Sequence, residues 1–461
     1  MSVNSEKFGS FMRNSVSLKM MSIALLTLVL LIPMSMISST MSERENRKTT
    51  VVTETNHNWG DAQKIAGPFF TVPFKVFLKD EKNNQTKYSI HYVHILPEEL
   101  NISGVIDPEM RYRSIYQTVV YSAKLDIKGS FTIPSLKHLD IDPSNILWDE
   151  AVFSIGISDM RGIQKNIMVT FNDKIYQAGP GLKTQDIGKS GVQAIIPLSI
   201  DKKAQTFSLQ LSLNGSEKLY FVPLGKATHV ELKSNWKTPS FKGSFLPTAR
   251  DITDKGFSAQ WNVLHLNRSY PQTWIGDAYK IGSPISNDRI NPYAAQQESS
   301  DASFGVQLLI PADIYQKSTR VMKYALMFIV FTFSAFFFSE VISKRRVHPI
   351  QYILIGLAIL LFYVLLLAIS EHLNFDIAYI VSAFLITALI SGYSKSITKS
   401  NSFTGIVCGI LVILYGYLYI VLQLEDYSLI MGSVGLFGVL ATVMYITRKI
   451  DWYSTGEAGN E

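Results

Sequence analysis

Residues 18–37 read LKMMSIALLTLVLLIPMSMI, and this stretch decides how the rest of the chain is interpreted. Its length matches the roughly 20 apolar residues that a helix needs to cross the hydrocarbon core of a bilayer. A long polar segment follows, and apolar segments return only in the last third of the chain. The pattern predicts a first membrane-spanning helix at 18–37 and further spans at 321–341, 350–369, 376–393, 403–424 and 427–446.

The charges beside these spans predict their orientation, because Lys and Arg in short loops are retained on the cytoplasmic side. With six spans and a cytoplasmic N-terminus, the flanking basic residues all lie inside: Lys7, Arg13, Lys19, Lys344, Arg345, Arg346, Lys395, Lys399, Arg448 and Lys449. The two short outer loops contain no Lys or Arg, only Glu371, His372 and Asp376, and then Glu425 and Asp426. Residues 1–17 and 447–461 are therefore predicted to be cytoplasmic, and the segment 38–320 extracytoplasmic.

The first span is predicted to be an uncleaved signal anchor. Its apolar run exceeds the 7 to 15 residues of a typical signal peptide, and the sequence SSTM at 38–41 is a poor cleavage site. A cleaved signal peptide is the alternative reading of the same residues.

The long segment between the first two spans changes to a period of two after Gly67, which is typical of half-buried strands. Alternation of this kind is found at 88–95, 118–133, 151–157, 206–213, 219–222 and 229–233, with turn residues between the strands. The predicted fold is therefore a helical membrane protein of six spans with a large extracytoplasmic, mainly-β domain, packed as an antiparallel sandwich or a barrel.

Composition excludes some classes of function and structure. The chain has 43 Lys and Arg against 37 Asp and Glu without a clustered basic face, so nucleic acid is not a predicted partner. Cys408 is the one cysteine, and it lies in a predicted span, so the outer domain has no disulfide. At this size its core can stabilise it without one.

The sequence contains no specific catalytic or metal-binding motif, so we expect no catalytic residue, no metal and no cofactor. His91 and His94 are the best metal candidates, but residues three apart on a strand point to opposite faces. The sequence GKSG at 188–191 lacks the leading glycine of a phosphate-binding loop and is interpreted as a turn.

Two pairs of residues remain as candidates for function. Asp159 and Arg161 flank a turn after a buried strand, where they could bind a ligand, although a pair that stabilises the turn is the favoured reading. Glu371 and His372 lie at the outer end of the third span. They could have a proton-sensitive role, although an ordinary solvated helix end is the default interpretation.

Within the spans, the sequence places no ionisable residue at mid-depth, where ion or proton coupling needs one. Glu340 and Lys344, at the inner end of the second span, are spaced to form an ion pair. The glycines Gly405, Gly409, Gly432, Gly435 and Gly438 suit close helix packing, with a glycine-lined path as the rarer use.

Several blocks of the chain carry a family resemblance. They are GPFFTVP at 67–73, SDMRGI at 158–163, SFLP at 244–247, KGFSAQW at 255–261, the run from 323 to 352, SEH at 370–372 and ITRKIDWY at 446–453. In these blocks the chain resembles the CreD family of bacterial inner-membrane proteins, over nearly its whole length. The resemblance implies a multi-pass protein of the bacterial inner membrane that is associated with cell envelope integrity and colicin tolerance, and controlled by a two-component system. It implies no established reaction.

We therefore expect a non-enzymatic inner-membrane protein that supports envelope integrity and the envelope stress response. Its expected partners are the lipid bilayer and envelope proteins or cell-wall components. The alternative is a transporter or lipid-handling protein with Gly435 beside its path. A sensor is a third reading, although the cytoplasmic loops are too short to hold a signalling domain.

Overall fold

The computed structural model of the protein describes residues 16–80, 85–134, 136–199, 204–279, 281, 302–310, 314–343, 347–424 and 428–448. The chain divides into two compact units. The helical unit comprises Met1–Lys48 and Ala312–Glu461, and the β-rich unit comprises Thr49–Pro311. The predicted tail at 447–461 and Lys344, the predicted partner of Glu340, fall almost wholly outside the described residues.

The first helix, α1 (Val16–Trp59), contains the predicted anchor and continues well beyond it. Its first half is apolar and its second half is polar, so the anchor and the polar stretch after it form one 44-residue helix. Pro33 lies inside the helix, where a membrane-spanning segment tolerates it if neighbouring groups satisfy the freed carbonyl. The β-rich unit consequently begins later than the segment predicted from residue 38.

Six further helices are described after residue 313, and each predicted later span coincides with one of them. They are α2 (Ile314–Lys323), α3 (Ala325–Ser343), α4 (Pro349–Ser370), α5 (Phe375–Thr398), α6 (Asn401–Gln423) and α7 (Ser428–Thr447). The predicted short fourth span is the 24-residue helix α5. The segment predicted as the second span begins within α2 and continues into α3, and the axes of α2 and α3 bend by 46° at Tyr324.

Within the described part of the chain, four helices are long and apolar enough to cross a membrane. They are α4, α5, α6 and a stretch of α1. A fifth crossing is obtained if the bent pair of α2 and α3 is one span. Helix α7, at the sixth predicted position, is not among them, so the structure shows a multi-span helical unit without establishing six crossings.

Aromatic rings and small residues form the interior of the helical unit. Phe362 of α4 contacts Tyr379 of α5 and Tyr415 of α6, with ring centroids 5.5 and 4.8 Å apart. Gly356 of α4 lies against Leu30 of α1, leaving no room for a Cβ atom there. Close approach of this kind is the usual means of packing helices in a membrane.

The β-rich unit contains two sheets among its described residues. The first has nine strands: β1 (Gln63–Asp80), β2 (Gln85–Ile95), β5 (Val152–Ile157), β8 (Gly179–Pro180), β9 (Gly191–Ile195), β11 (Lys218–Val222), β13 (Pro239–Gly243), β16 (Thr273–Ile275) and β17 (Phe304–Leu308). The second has eight: β3 (Glu99–Arg113), β4 (Tyr116–Phe131), β6 (Met168–Phe171), β7 (Lys174–Gln177), β10 (Gln205–Ser216), β12 (Ala227–Ser234), β14 (Ala249–Thr253) and β15 (Gly256–Leu264).

The order of strands corrects the expectation of a purely antiparallel domain. The order in the first sheet is β13-β17-β11-β1-β5-β9-β8, with β2 also pairing with β1 and β16. In the second it is β14-β15-β12-β3-β4-β10-β6-β7. Most described pairs are antiparallel, but β1 with β11 and β3 with β12 are parallel. Both exceptions join strands that are distant in sequence, whereas turn signals report only on neighbouring strands.

The two sheets face each other across one hydrophobic core, so the domain is a sandwich. Strand β4 has the predicted alternation: Tyr121, Ala123, Leu125 and Ile127 are buried, and Lys124, Asp126 and Lys128 are exposed. Phe70 of the first sheet is fully buried, and its ring packs edge-on against Phe131 and Phe171 of the second, with centroids 4.7 and 5.5 Å apart. Edge-to-face aromatic pairs of this kind stabilise a core beyond the area that they bury.

Replacement of Phe70 by Ala should destabilise the sandwich by about 3–5 kcal/mol, because it removes a buried ring and leaves a cavity between the sheets. Thermal unfolding of the purified full-length protein in detergent, followed by circular dichroism, would measure the loss. The control is Tyr112→Ala, since Tyr112 is 69% exposed on β3. Equal effects of the two substitutions would contradict the assignment of Phe70 to the inter-sheet core.

Candidate functional site

The predicted pair Asp159 and Arg161 lies where helix α1 passes into the sandwich. Asp159 precedes a single 3-10 turn, Met160–Gly162, and its carboxylate accepts a hydrogen bond from the Arg161 amide. The same carboxylate accepts a hydrogen bond of 2.8 Å from the amide of Asp61, which lies just before β1. The Arg161 guanidinium donates to both Asp159 oxygens, at 2.9 Å each, and to Asp61 Oδ2 at 2.8 Å.

A buried amide extends this junction to a third segment. Gln63 is fully buried at the start of β1, and its Nε2 donates to the carbonyl oxygens of Asp159 and Asn214, at 3.0 and 2.9 Å. Gly162 packs directly against the Asn214 carbonyl, where a Cβ atom would overlap it. The glycine of the SDMRGI sequence is therefore required by close backbone approach.

The end of α1 is fixed to the sandwich by its own side chains. Asn56 accepts a hydrogen bond from Thr118 Oγ1 at 2.8 Å and donates one to Glu217 Oε1 at 3.1 Å. Trp59 Nε1 donates to the Tyr121 carbonyl at 3.3 Å. Gly60, at a φ of +144°, then ends the helix in a conformation that L-residues rarely adopt.

The electrostatics of the junction favour a stabilising role for Asp159 and Arg161. Burial alone would raise the pKa of Asp159, but hydrogen bonds from Arg161 and from the Asp61 amide outweigh it and lower that pKa. Both carboxylate oxygens are occupied by donors of the same chain. A ligand would have to displace these donors, so the geometry favours the reading of Asp159 and Arg161 as a pair that holds the turn.

Substitution Asp159→Asn should reduce the free energy of unfolding at pH 7 by about 2 kcal/mol, because charged hydrogen bonds to a side chain that is 9% exposed are lost. Since the pKa of Asp159 is lowered in the folded state, its contribution is present at neutral pH. It is lost as the pH falls through that lowered pKa, below about 4. Urea unfolding of the full-length protein at several pH values would measure both effects.

The matched control is Asp142→Asn. Asp142 caps the 3-10 turn Pro143–Asn145 in the same manner, but it is exposed, and Ser144 is the donor to its carboxylate among the described residues. We expect a much smaller loss there. A difference between wild type and Asp159→Asn that persisted unchanged at pH 3 would contradict the assignment.

The structure separates the second predicted pair, Glu371 and His372. The Glu371 carboxylate, 12% exposed, accepts a hydrogen bond of 3.1 Å from the Tyr315 hydroxyl. The Arg44 guanidinium approaches the same Glu371 oxygen to 3.7 Å. His372 is exposed and lies outside this cluster. Sequence reasoning missed Arg44 and Tyr315; the amphipathic pattern of 314–323, which buries Tyr315, is the signal that could have found the second of them.

Glu340 accepts hydrogen bonds from its neighbours, and Gly435 is the closely packed one among three of the span glycines. The Glu340 carboxylate accepts from the Val347 amide at 3.1 Å and the Tyr352 hydroxyl at 3.2 Å, which closes the connection between α3 and α4. Gly435 of α7 packs against the ring of Tyr417 of α6. Gly405 and Gly409 have no neighbour within 4 Å of a Cβ position among the described residues. Packing is thus favoured over a path at Gly435.

The two histidines of strand β2 occupy opposite faces, as their spacing predicts. His91 is exposed. His94 is fully buried beside Trp274, and its Nδ1 and Nε2 lie 3.1 Å from Thr71 Oγ1 and Asp186 Oδ2. Although Thr, His and Asp are the groups of a hydrolytic triad, Thr71 and His94 are both 0% exposed, so a substrate has no access. Within the described residues, no group of three metal-ligating side chains is present.

Acidification should destabilise the sandwich through His94. Burial lowers the pKa of His94 in the folded protein, and the hydrogen bond with Asp186 only partly opposes this effect. The unfolded chain therefore binds a proton first, and the free energy of unfolding falls as the pH drops below about 6.5, by at most about 1.4 kcal/mol per pH unit.

The unfolding midpoint should be lower at pH 5.5 than at pH 7.5. His94→Gln should remove this component, and His91→Gln, on the same strand but exposed, should retain it. The assignment fails if both variants keep the wild-type pH dependence.

An open cleft of about 600 Å³ lies on the face of the second sheet that points away from the core. One row of directly paired residues crosses five strands of this face: Asp251, Ser258, Lys233, Val105 and Lys124. Asp107 and Lys255 add one charge of each sign to the lining. The cleft therefore presents cations, carboxylates and hydroxyl groups within one concave surface.

Comparison with known proteins identifies relatives of the whole chain. A family profile described as Inner membrane protein CreD matches residues 15–453. The chain is also 31% identical to Inner membrane protein CreD of Escherichia coli (strain K12) over 441 residues, which covers 95% of this chain and 93% of that relative.

Proposed function

Because the chain belongs to the CreD family of inner membrane proteins, we propose that it supports the integrity of the cell envelope as a non-enzymatic membrane protein. In this proposal the helical unit holds the protein in the inner membrane. The β-rich unit binds an envelope component on the outer side of that membrane, as part of the response to envelope stress.

The open cleft on the second sheet is the observation that supports this proposal most strongly. Its lining combines Lys124, Lys233 and Lys255 with Asp107 and Asp251, and Lys233 also pairs with Glu231 at 2.8 Å. Balanced charges of both signs suit a polar ligand that itself carries carboxylates and amines. Peptidoglycan, with its hydroxyl-rich glycan and its charged stem peptides, has this chemistry among the cell-wall components.

The topology in this proposal has six spans, both termini in the cytoplasm and the β-rich unit outside. The helices α1 and α3 to α7 supply the six crossings, with α3 preceded by α2. The support comes from the flanking charges: Lys395 and Lys399 lie at one end of α5, and Asp376 lies at the other.

The cleft is tested by co-sedimentation of the purified full-length protein with peptidoglycan sacculi. The double variant Lys124→Gln/Lys255→Gln should bind several-fold less, because it removes two cations of the cleft. Lys128→Gln is the control, since Lys128 is exposed on the same face of β4 but outside the cleft. The proposal for this ligand fails if wild type does not bind, or if the double variant binds as wild type does.

The topology is tested by fusing a reporter that is active only outside the cytoplasm after Asn374 or after Ser396. We expect activity for the fusion after Asn374, in the predicted outer loop, and none for the fusion after Ser396. Activity at the second position would overturn the six-span arrangement.

A further inference from the structure

Helix α2 has an unusual charge pattern for a segment that leads directly into an apolar span. Its sequence, IYQKSTRVMK, contains three basic residues and no acidic residue. Lys317, Arg320 and Lys323 are spaced three apart, so they share one side of the helix. The other side is formed by Tyr315, Ser318, Val321 and Met322, which are buried in the helical unit.

Contacts of α2 place it at the ends of the apolar helices. The Tyr315 hydroxyl bonds to Glu371, the residue that follows α4. Lys317 Nζ lies 5.4 Å from the ring centroid of Phe375, the first residue of α5. Because these residues mark where apolar helices end and begin, the proposed topology puts α2 at the depth of the lipid headgroups.

The basic residues of α2 lie with Arg44 and Lys48 of α1 at this end of the bundle. The connections α4–α5 and α6–α7, which end on the same side under alternating crossings, contain no Lys or Arg between residues 371 and 376 or at 425–427. Lys and Arg are retained on the cytoplasmic side when they lie in short loops. Lys317, Arg320 and Lys323 end a long segment between two spans, so this rule does not account for them.

Apolar surface for an acyl chain is adjacent to these cations. Lys323, exposed at the end of α2, is followed in α3 by Leu326 and Val330, which are 43% and 41% exposed. Residues four apart share a helix face, so Leu326 and Val330 form an apolar strip. A lipid with its phosphate beside α2 can lay a chain along that strip.

We propose that Lys317, Arg320 and Lys323 bind the phosphate headgroup of an anionic membrane lipid. The three cations attract the phosphate, and the burial of Tyr315 and Val321 fixes α2 so that its basic side remains at the headgroup level. This inference does not rest on the ligand of the cleft. Under the proposed topology the lipid belongs to the outer leaflet of the inner membrane.

The experiment uses the full-length protein in nanodiscs that contain phosphatidylglycerol and phosphatidylcholine in equal amounts. Native mass spectrometry of the released protein counts which lipid remains bound. Wild type should retain phosphatidylglycerol preferentially. The triple variant Lys317→Gln/Arg320→Gln/Lys323→Gln should lose at least about tenfold of this preference, since each basic residue near an anionic surface adds to the attraction.

Two further variants separate a local effect from a loss of folding or of total charge. Lys317→Arg/Lys323→Arg keeps the charges and should keep the preference. Lys128→Gln/Lys174→Gln/Lys242→Gln removes three exposed cations of the β-rich unit and should also keep it. The proposal is overturned if wild type retains both lipids equally, or if the α2 triple variant retains the wild-type preference.

The same variants distinguish a failure of lipid binding at α2 from a failure of peptidoglycan binding in the cleft. The α2 triple variant should bind sacculi as wild type does, whereas Lys124→Gln/Lys255→Gln should retain phosphatidylglycerol as wild type does. A loss of both activities in either variant would contradict the independence of the two sites and therefore this assignment.

Discussion

A backbone that crosses hydrocarbon has to satisfy its hydrogen bonds within its own helix, because the lipid offers no partners. This constraint governs the distribution of structure along the chain. The described sheets are confined to residues 63–308, and the apolar stretches before and after them are helical. In the sandwich, the backbone groups form hydrogen bonds between neighbouring strands instead. The polar outer face of the sandwich can remain in water.

At the junction between α1 and β1, the backbone passes from hydrogen bonds within a helix to hydrogen bonds between strands. Asn56 and Trp59 bond to the sandwich from the helix, and Asp159 and Arg161 fix the residues that follow it. Asp159 and Arg161 therefore have a structural role at this junction, and the hydrogen bonds between them suit that role.

Local patterns in the sequence predicted the elements well, because burial imposes a period that single strands and helices display. The alternation of β4 and the opposite faces of His91 and His94 follow from that period, whereas the fourth span was predicted from its apolar residues and flanking charges. The CreD family was likewise recognisable from the sequence, in blocks such as SDMRGI at 158–163.

Arrangements that depend on residues distant in sequence were beyond that reasoning. The parallel pairing of β3 with β12 joins strands more than a hundred residues apart, and no turn signal reports it. The contact of Glu371 with Arg44 crosses more than three hundred residues. The cleft forms only when five strands bring one row of mainly polar residues side by side. The sequence around Lys124 or Lys233 alone therefore did not indicate a binding site.

Cysteine accessibility tests most directly the proposed location of the β-rich unit outside the cytoplasm. Cys408 is the one native cysteine, so a Cys408→Ser background allows single cysteines to be placed at Ser258, in the cleft, or at Ser396, in the last turn of α5. A membrane-impermeant maleimide added to intact spheroplasts should label Ser258→Cys at once and Ser396→Cys only after lysis. Labelling of Ser396→Cys alone before lysis would contradict the account.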